Sequence, residues 1–223
     1  MHNLFEGRSA WIFDVDYTLY GPDASLFEQV VPRITSFVSK SLQLPLDEAR
    51  DVQRKYYTAY GSTMRGMARH HGVDPHEFSD FVHDIDYGVL TENQRLKQQI
   101  AALPGKKYIF TNATMKHAND VLNGLGLSQS DFDGAFDVEM ADWTPKPDRL
   151  PYDRLCATFD ISADQAVFFE DTAKNLETAR ELGWGTVWIK SDSDGRQSGL
   201  DFQADLISES VDNALDTILK AVR

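Results

Sequence analysis

The chain has 223 residues, and its 35 acidic and 22 basic side chains give a net charge of −13. This charge argues against a general binder of nucleic acid or of anionic membranes, because both need a basic surface. It leaves room for a small phosphate ester, whose charge a metal ion and one or two basic side chains can meet.

Cysteine content and hydropathy bear on the compartment and on partners. The single cysteine, Cys156, excludes an internal disulfide framework, and its apolar helical surroundings favour a structural thiol over a nucleophile. No apolar run approaches the ~18 residues that span a membrane, and the first residues lack the basic region and apolar core of a signal peptide. We therefore expect a cytoplasmic enzyme without a membrane or nucleic-acid polymer as partner; its oligomeric state is left open.

The first predicted element is a short buried strand over residues 9–14, rich in aromatic and branched side chains. It ends in two carboxylates, Asp14 and Asp16, followed by Thr18. Ligands of an open parallel sheet bind outside the carboxyl ends of its strands. Two anions so close repel unless one is protonated or a cation such as Mg²⁺ lies between them. The alternative is a strand that ends in a solvated acidic turn.

Residues 23–89 show helical periodicity throughout. Pro32 is expected to kink or restart the first helix, Gly61 to end the second, and Asp74 with Pro75 to begin the fourth. The four helices are predicted over residues 26–42, 47–60, 62–71 and from 75 onward. This pattern predicts a small all-helical cap domain, residues 23–89, inserted after the first strand.

From residue 91 onward, predicted strands alternate with predicted helices. Thr91 with Gln94 is expected to cap the first of these helices. The strands are predicted over residues 107–111, 135–138, 166–170, 185–189 and 204–207. The helices are predicted over residues 91–103, 116–125, 152–159, 172–182 and 211–222, with a flexible loop over 191–199. The alternation predicts an α/β fold, a Rossmann-like doubly wound parallel sheet built from residues 1–22 and 90–223.

Polar groups follow two further strands. Thr111 and Asn112 can donate hydrogen bonds to the oxygens of a phosphoryl group, although such residues also end strands for reasons of turn geometry. Glu170 and Asp171 end another apolar strand. Asp171 can complete a metal site with Asp14, and Glu170 can bind the metal or a water on it. Asn175 could support this site, and the alternative for Asp171 is a helix N-cap.

Lys146 lies between Pro145 and Pro147, which disfavour helix in the residues before them and hold Lys146 extended. A lysine fixed in this way is suited to neutralise charge on a nucleophile and on a transferring phosphate. The alternative is an exposed loop lysine. All four groups of polar residues fall at the carboxyl ends of predicted strands of one sheet.

Together these groups resemble the four motifs of the haloacid dehalogenase-like superfamily of phosphohydrolases, in the branch with a helical cap between the first and second motifs. Within this superfamily the chain resembles the pyrimidine 5′-nucleotidases more narrowly. Four short stretches carry that resemblance: residues 16–20, 56–61, 64–66 and 110–113. One departure from the family pattern is Tyr17, where asparagine is common; we do not expect it to abolish the chemistry.

The resemblance implies a mechanism. Asp14 attacks phosphorus to form an aspartyl-phosphate, and Asp16 protonates the leaving alcohol and then deprotonates the attacking water. Thr111, Asn112 and Lys146 stabilise the phosphoryl oxygens. Magnesium is implied as the cofactor, with Asp14, the backbone carbonyl of Asp16, Glu170 and Asp171 as its ligands; facing this metal and Lys146, Asp14 is expected to stay ionised.

Substrate choice is expected to come from the cap. Tyr56 and Tyr60 share a helix face and could stack on a base, the alternative being tyrosines buried in the cap itself. Arg65 is a candidate contact to base or sugar. Beside it, Gly66 costs ~1 kcal/mol relative to alanine in a helix, so we expect it to admit a ligand or the core at close range.

The substrate class predicted is a small phosphorylated metabolite, with a pyrimidine nucleoside 5′-monophosphate first and a sugar or cofactor phosphate as the alternative. A phosphomutase would share the four motifs. A dehalogenase would need neither magnesium nor an acid at Asp16, and a non-catalytic binding module would be expected to lack a nucleophile or ligand. The complete set of motif residues in the sequence favours the phosphatase.

Overall fold

The computed structural model describes residues 5–190 and 202–222. Within them six parallel strands form one sheet, in the order β3-β2-β1-β4-β5-β6. The strands are β1 Ala10–Phe13, β2 Lys106–Phe110, β3 Gly134–Phe136, β4 Ala166–Glu170, β5 Gly185–Ile189 and β6 Leu206–Ser208. The winding reverses between β1 and β4, so the predicted Rossmann-like, doubly wound α/β fold is confirmed. A ligand crevice is expected where β1 and β4 end.

The described residues also contain nine α-helices. They are α1 Phe27–Leu42, α2 Leu46–Tyr60, α3 Thr63–His71, α4 Pro75–Val82, α5 Gln94–Ala102, α6 Met115–Gly124, α7 Arg149–Phe159, α8 Ala173–Glu181 and α9 Val211–Ala221. Each is too short or too polar to cross a membrane.

Alternate residues of the strands feed two separate hydrophobic clusters, one on each face of the sheet. Trp11 and Phe13 of β1 pack with residues of α5, α6 and α9. Ala10 and Ile12 pack on the opposite face with residues of α7 and α8. Because all four side chains of β1 are buried, this strand lies at the centre of the molecule and fixes the position of Asp14 at its end.

The helical insert, residues 27–82, has its own hydrophobic cluster formed by side chains of α1 to α4. Gly61, with φ 72°, ends α2, and the Asp74 carboxylate accepts from the His76 amide at the start of α4, as predicted. The predicted restart at Pro32 is wrong, because α1 runs through this residue as one helix. Pro32 lies in the second turn, where its missing N–H removes a single intrahelical hydrogen bond.

Several predicted ends shift by a few residues. The cap of α5 is Asn93, whose side chain accepts from the Leu96 amide, so the predicted cap at Thr91 is wrong. Both residue types can cap a helix, and here the chain enters the helix two residues later.

The loop predicted over residues 191–199 lies outside the described residues. Cys156 is half-buried on α7, and burial raises the pKa of its thiol to about 11.

The insert contacts the core through an ion pair and through aromatic rings, and Trp143 of the core also packs against the insert's hydrophobic cluster. Lys116 on α6 forms an ion pair with Asp80 on α4 at 2.7 Å. The ring of His76 meets Trp143 edge to face, with ring centroids 4.8 Å apart. These side chains join the insert to the core at the carboxyl end of the sheet.

Candidate active site

The carboxyl ends of β1 and β4 place two acidic segments side by side. The Asp14 amide donates to the carbonyl of Phe169 at 3.0 Å, continuing the parallel ladder one residue past β1. Glu170 is the last residue of β4, and Asp171 follows it. Chain register therefore brings together carboxylates that are more than 150 residues apart in sequence.

Lys146 lies at the centre of the site, with its side chain 1% exposed. Its ammonium donates to Asp14 Oδ1 at 2.8 Å, to Glu170 Oε2 at 2.9 Å and to the carbonyl of Phe110 at 2.8 Å. All three N–H groups are thus used. The alternative of an exposed loop lysine is wrong, because the Pro-flanked loop directs this side chain into the core.

Asp14, Glu170 and Asp171 form a cluster of buried carboxylates whose ligand oxygens lie within 4.8 Å of one another. With Lys146 beside them, the group carries two net negative charges when all four side chains are ionised. An all-oxygen donor set with an excess of negative charge fits a hard divalent cation. The three residues could therefore hold a metal ion.

The charge on Asp14 depends on that cation. Burial raises the pKa of Asp14 to about 7, with the Glu170 carboxylate adding to the rise and Lys146 opposing it. Lys146 alone is thus not enough to keep Asp14 fully ionised at neutral pH, contrary to what its proximity suggests. A bound dication would favour the carboxylate form.

The second acidic segment is held by its own neighbours. Glu170 accepts from the Thr172 amide at 2.9 Å and from Asn175 Nδ2 at 2.9 Å, which is the supporting role anticipated for Asn175. The N-cap residue of α8 is Thr172, so the alternative for Asp171 as that cap is wrong. The carbonyl of Asp171 accepts from the indole of Trp188 at 2.8 Å.

The side chains of Thr111 and Asn112, which follow β2, hold neighbouring backbone segments in position. The hydroxyl of Thr111, 2% exposed, accepts from the Ala113 amide at 3.0 Å. Asn112 Nδ2 donates to the carbonyl of Lys146 at 3.1 Å, and Asn112 Oδ1 accepts from the Lys146 amide at 2.7 Å. In this arrangement Asn112 holds the backbone that carries Lys146, a role the sequence interpretation did not include.

Asp16 lies apart from the carboxylate cluster and has its own partners. The hydroxyl of Tyr20 donates to Asp16 Oδ1 at 2.6 Å, and Nε2 of His117 lies 2.9 Å from the same oxygen. Burial acts to raise the pKa of Asp16. The charge of His117 and the hydrogen bonds from His117 and Tyr20 outweigh this effect and lower the pKa to about 2. Asp16 is therefore a carboxylate in this arrangement.

The tyrosines of the insert pair with its histidines. The Tyr56 hydroxyl lies 2.7 Å from Nε2 of His71, and the Tyr60 hydroxyl lies 2.6 Å from Nε2 of His70. Tyr56 is buried in the insert cluster. A Cβ on Gly66 would lie 2.3 Å from the ring of Tyr56. The close approach predicted at Gly66 thus exists, but its partner is α2 and neither ligand nor core.

Arg65 crosses the boundary between insert and core. Its Nη1 lies 2.6 Å from Asp148 Oδ2, and Asp148 is two residues from Lys146. Both side chains of this ion pair are close to half exposed. The predicted base or sugar contact would require Arg65 to exchange this partner or to share it.

His117 and Tyr20 are the site residues that sequence reasoning missed. Tyr20 follows Asp16 by four residues in a segment read as a loop, and His117 is 101 residues away from Asp16. Neither carries a spacing signal. The weak signal available was a histidine three residues into the helix that follows Thr111 and Asn112, at the predicted site edge.

A known protein family matches most of the chain. The haloacid dehalogenase-like hydrolase family matches residues 9–183. Phosphate metabolism protein 8 of Saccharomyces cerevisiae is 25% identical over 198 residues, 81% of this chain, which spans only 61% of that relative's length.

Two solved structures share the fold. A HAD phosphatase from Thermococcus onnurineus superposes with a TM-score of 0.62 at 21% identity, covering 96% of this chain and 99% of that one. An L-2-haloacid dehalogenase from Xanthobacter autotrophicus gives a TM-score of 0.59 at 15% identity, covering 97% and 100%. At these identities the structures show the fold alone, while the family match extends over most of the chain. The chain belongs to the haloacid dehalogenase-like hydrolases.

Proposed function

We propose that this hydrolase is a magnesium-dependent phosphomonoesterase that forms an aspartyl-phosphate on Asp14. The observation that carries the proposal is the buried arrangement of Lys146 between Asp14 and Glu170, with Asp171 in the same carboxylate cluster. Asp14, Glu170, Asp171 and the Asp16 carbonyl are the proposed ligands of Mg²⁺. The bound cation would offset the repulsion between the nucleophile and the phosphate dianion.

In the first step Asp14 attacks phosphorus and the bond to the leaving oxygen breaks. Asp14 Oδ1 accepts from Lys146 and Oδ2 from the hydroxyl of Thr18 at 3.2 Å, so both oxygens are oriented. Lys146 offsets charge on the phosphoryl oxygens, and we place Thr111 and Asn112 beside those oxygens. Fixing the nucleophile in this way removes orientational freedom before the reaction begins.

Asp16 is the proposed acid–base residue. Its carboxylate form, found here, is the form that removes a proton from water when the aspartyl-phosphate is hydrolysed. To act in the first step, the same group would first take up a proton from solvent and then pass it to the leaving alcohol, which returns Asp16 to its carboxylate form. Tyr20 and His117 hold its carboxylate away from the cluster around Lys146, which separates proton transfer from nucleophilic attack.

The dehalogenase alternative needs no cation beside the nucleophile, because a carboxylate substrate brings one charge and a halide leaves unprotonated. The cluster of three carboxylates and the partnered Asp16 favour the phosphate ester. A phosphomutase remains compatible with the same residues, and release of free phosphate distinguishes it.

We further propose residues 23–89 as the cap domain that selects the leaving group, with a pyrimidine nucleoside 5′-monophosphate as the first candidate substrate. Support comes from the position of the insert, whose Arg65 reaches Asp148 beside the Lys146 loop. Tyr60, half-buried next to His70, offers an aromatic face on the same insert. Tyr56 would act through Tyr60 and α3, since it is buried.

The test is phosphate release from a panel of nucleoside monophosphates, sugar phosphates and cofactor phosphates with MgCl₂, CaCl₂ or EDTA. We expect turnover with magnesium and none with EDTA. Calcium should inhibit, because it takes ~6–8 oxygens and tolerates bidentate carboxylates, which would occupy both oxygens of Asp14. Turnover of a haloacid in EDTA, with no phosphate released from any ester, would refute the proposal.

A further inference from the structure

His117 contacts the proposed acid–base residue from the core. It lies on α6 with its side chain fully buried. Its Nε2 lies 2.9 Å from Oδ1 and 3.2 Å from Oδ2 of Asp16, so the ring nitrogen faces both oxygens of the carboxylate. A single donor shared by two oxygens restricts rotation of that carboxylate.

The other nitrogen of the ring also has a partner, but the contact with Asp16 fixes the hydrogen on Nε2. Nδ1 of His117 lies 2.9 Å from the hydroxyl of Tyr87, and that hydroxyl lies 3.0 Å from the carbonyl of His83. Whether the Tyr87 hydrogen points to Nδ1 or to the carbonyl, Nε2 is the nitrogen that faces an ionised carboxylate. A carboxylate only accepts, so Nε2 carries the hydrogen.

Both groups that hold the imidazole come from the connection that leads from the insert back to the core. His83 follows α4 directly, and its ring stacks on His117 with centroids 4.1 Å apart and 25° between the planes. Tyr87 begins the short 3₁₀ helix Tyr87–Val89. Asp16 lies in the opposite connection, which leads from β1 into the insert. One imidazole therefore joins the two connections.

We propose that His117 is a positioning residue that orients the Asp16 carboxylate when the insert is seated on the core. The inference rests on the proposed function, since that gives Asp16 its acid–base role. Tyr87 also packs against the core cluster that contains Trp11 and Phe13, whereas His83 directly follows α4. Displacing the insert would therefore remove His83 from the ring first and loosen the contacts that orient the carboxylate. Proton transfer is thus coupled to the position of the insert, whereas the partners of Lys146 belong to the core alone.

The first test compares two variants of the same position. His117→Phe keeps a ring beside His83 but removes the donor, and His117→Gln keeps an N–H donor near the place of Nε2. The substrates are p-nitrophenyl phosphate, whose leaving group needs no proton, and the ester that the wild type hydrolyses fastest in the panel above. Because hydrolysis of the aspartyl-phosphate uses Asp16 with either substrate, the two esters are compared in the first turnover, before that step. We expect His117→Phe to slow release of the leaving group by roughly 10–100-fold from that ester and by less than about threefold from p-nitrophenyl phosphate. His117→Gln should recover most of the loss.

A second variant leaves His117 itself in place. Tyr87→Phe removes only the hydroxyl that holds Nδ1, and we expect the same selectivity at roughly 3–10-fold. The matched control is Asn123→Ala, which changes an exposed side chain six residues beyond His117 on α6 and leaves the ion pair between Lys116 and Asp80 in place. This control should leave the ratio of the two rates unchanged.

In the Asp16→Asn background, His117→Phe should cause no further loss, since its target is gone. Equal losses of the first-turnover rate on both substrates, or the full loss in the Asp16→Asn background, would overturn the positioning role and leave His117 a structural residue. A wild type that releases phosphate from no ester would instead refute the proposed function, so the two failures are distinguishable.

Discussion

The core and the insert use charged side chains in opposite ways. In the core, Lys146, Asp14 and Glu170 are buried, and each is fixed by several hydrogen bonds. In the insert, Arg65 and Asp80 each meet the core through an ion pair that solvent reaches. Buried pairs are costly to break, whereas exposed pairs contribute little to stability.

This difference separates two tasks. A rigid, desolvated set of charges suits phosphoryl chemistry, which depends on groups already in place. Exposed pairs across the boundary can open without a large loss in free energy, so they suit a segment that must admit and release a ligand. The core would then set the reaction, and the insert would set access and leaving-group choice.

The largest effect is expected from Asp14→Asn, which tests whether the core carries out the reaction. The amide is no nucleophile, so turnover with magnesium should fall by at least roughly 10⁴-fold, about 5.5 kcal/mol of activation free energy. Phosphate release and acid-stable labelling of the protein measure the loss. The fold should persist, because the substitution preserves shape. A retained burst of protein phosphorylation would contradict the assignment of Asp14.

Lys146→Met tests whether the core charges depend on one another. It leaves Asp14 and Glu170 buried without their shared cation, so the free energy of unfolding in EDTA should fall by ~3–5 kcal/mol. The control is Lys106→Met, which removes the exposed pair to Asp133 and should change stability little. Chemical denaturation measures both. Similar small effects for the two lysines would show that the buried network is not what stabilises this edge.

Metal-free protein should show a specific pH dependence from Asp14. Because its pKa rises from 3.8 to about 7 on folding, the folded state binds more protons than the unfolded state between these values. The free energy of unfolding should therefore fall as pH rises from about 4 to 8, on the order of 4 kcal/mol from this group. Asp14→Asn should lack this component, and MgCl₂ should suppress it in the wild type. If the free energy of unfolding in EDTA changed with pH equally in the wild type and in Asp14→Asn, this contribution of Asp14 would be ruled out.

The smallest effect is expected from Arg65→Ala, which tests whether the insert contacts the leaving group. If Arg65 contacts base or sugar, Arg65→Ala should lower kcat/KM for pyrimidine monophosphates by roughly tenfold to a hundredfold, ~1.5–3 kcal/mol, and spare p-nitrophenyl phosphate. Asp148→Ala separates the alternatives, because it frees Arg65 without removing it. If Asp148→Ala reproduces the loss, Arg65 acts through the ion pair and the substrate contact is disproved.

Elements with strong periodicity could be predicted from the sequence. The strands over residues 166–170 and 185–189 match β4 and β5 residue for residue, because apolar runs bounded by turn residues leave little choice. Glycine was informative only in part. Gly66 indicated a close approach, but the sequence could not name Tyr56 as the neighbour, since that depends on how α2 and α3 pack.

The candidate site was predictable where residues follow strands and not where they meet by packing. Lys146, Asp14 and Glu170 converge through strand order, whereas His117 reaches Asp16 through the pose of α6. The backbone conformation at Tyr17 could not be predicted from the sequence either. Tyr17 has φ 58°, in the left-handed region that asparagine tolerates better than tyrosine, which gives a physical reason for the asparagine common there.

Cys156 has a practical consequence. With a thiol pKa of about 11, only about one molecule in ten thousand presents the thiolate at pH 7. A maleimide dye would therefore react first with a thiol placed at an exposed site such as Tyr57→Cys on α2, where the native side chain is 64% exposed. The tryptophans buried in the sheet, Trp11 and Trp188, could serve as energy-transfer donors. Since all four tryptophans of the chain lie outside the insert, a change in energy transfer to one labelled variant would then report movement of the insert relative to the core during turnover, without any need to remove the native cysteine.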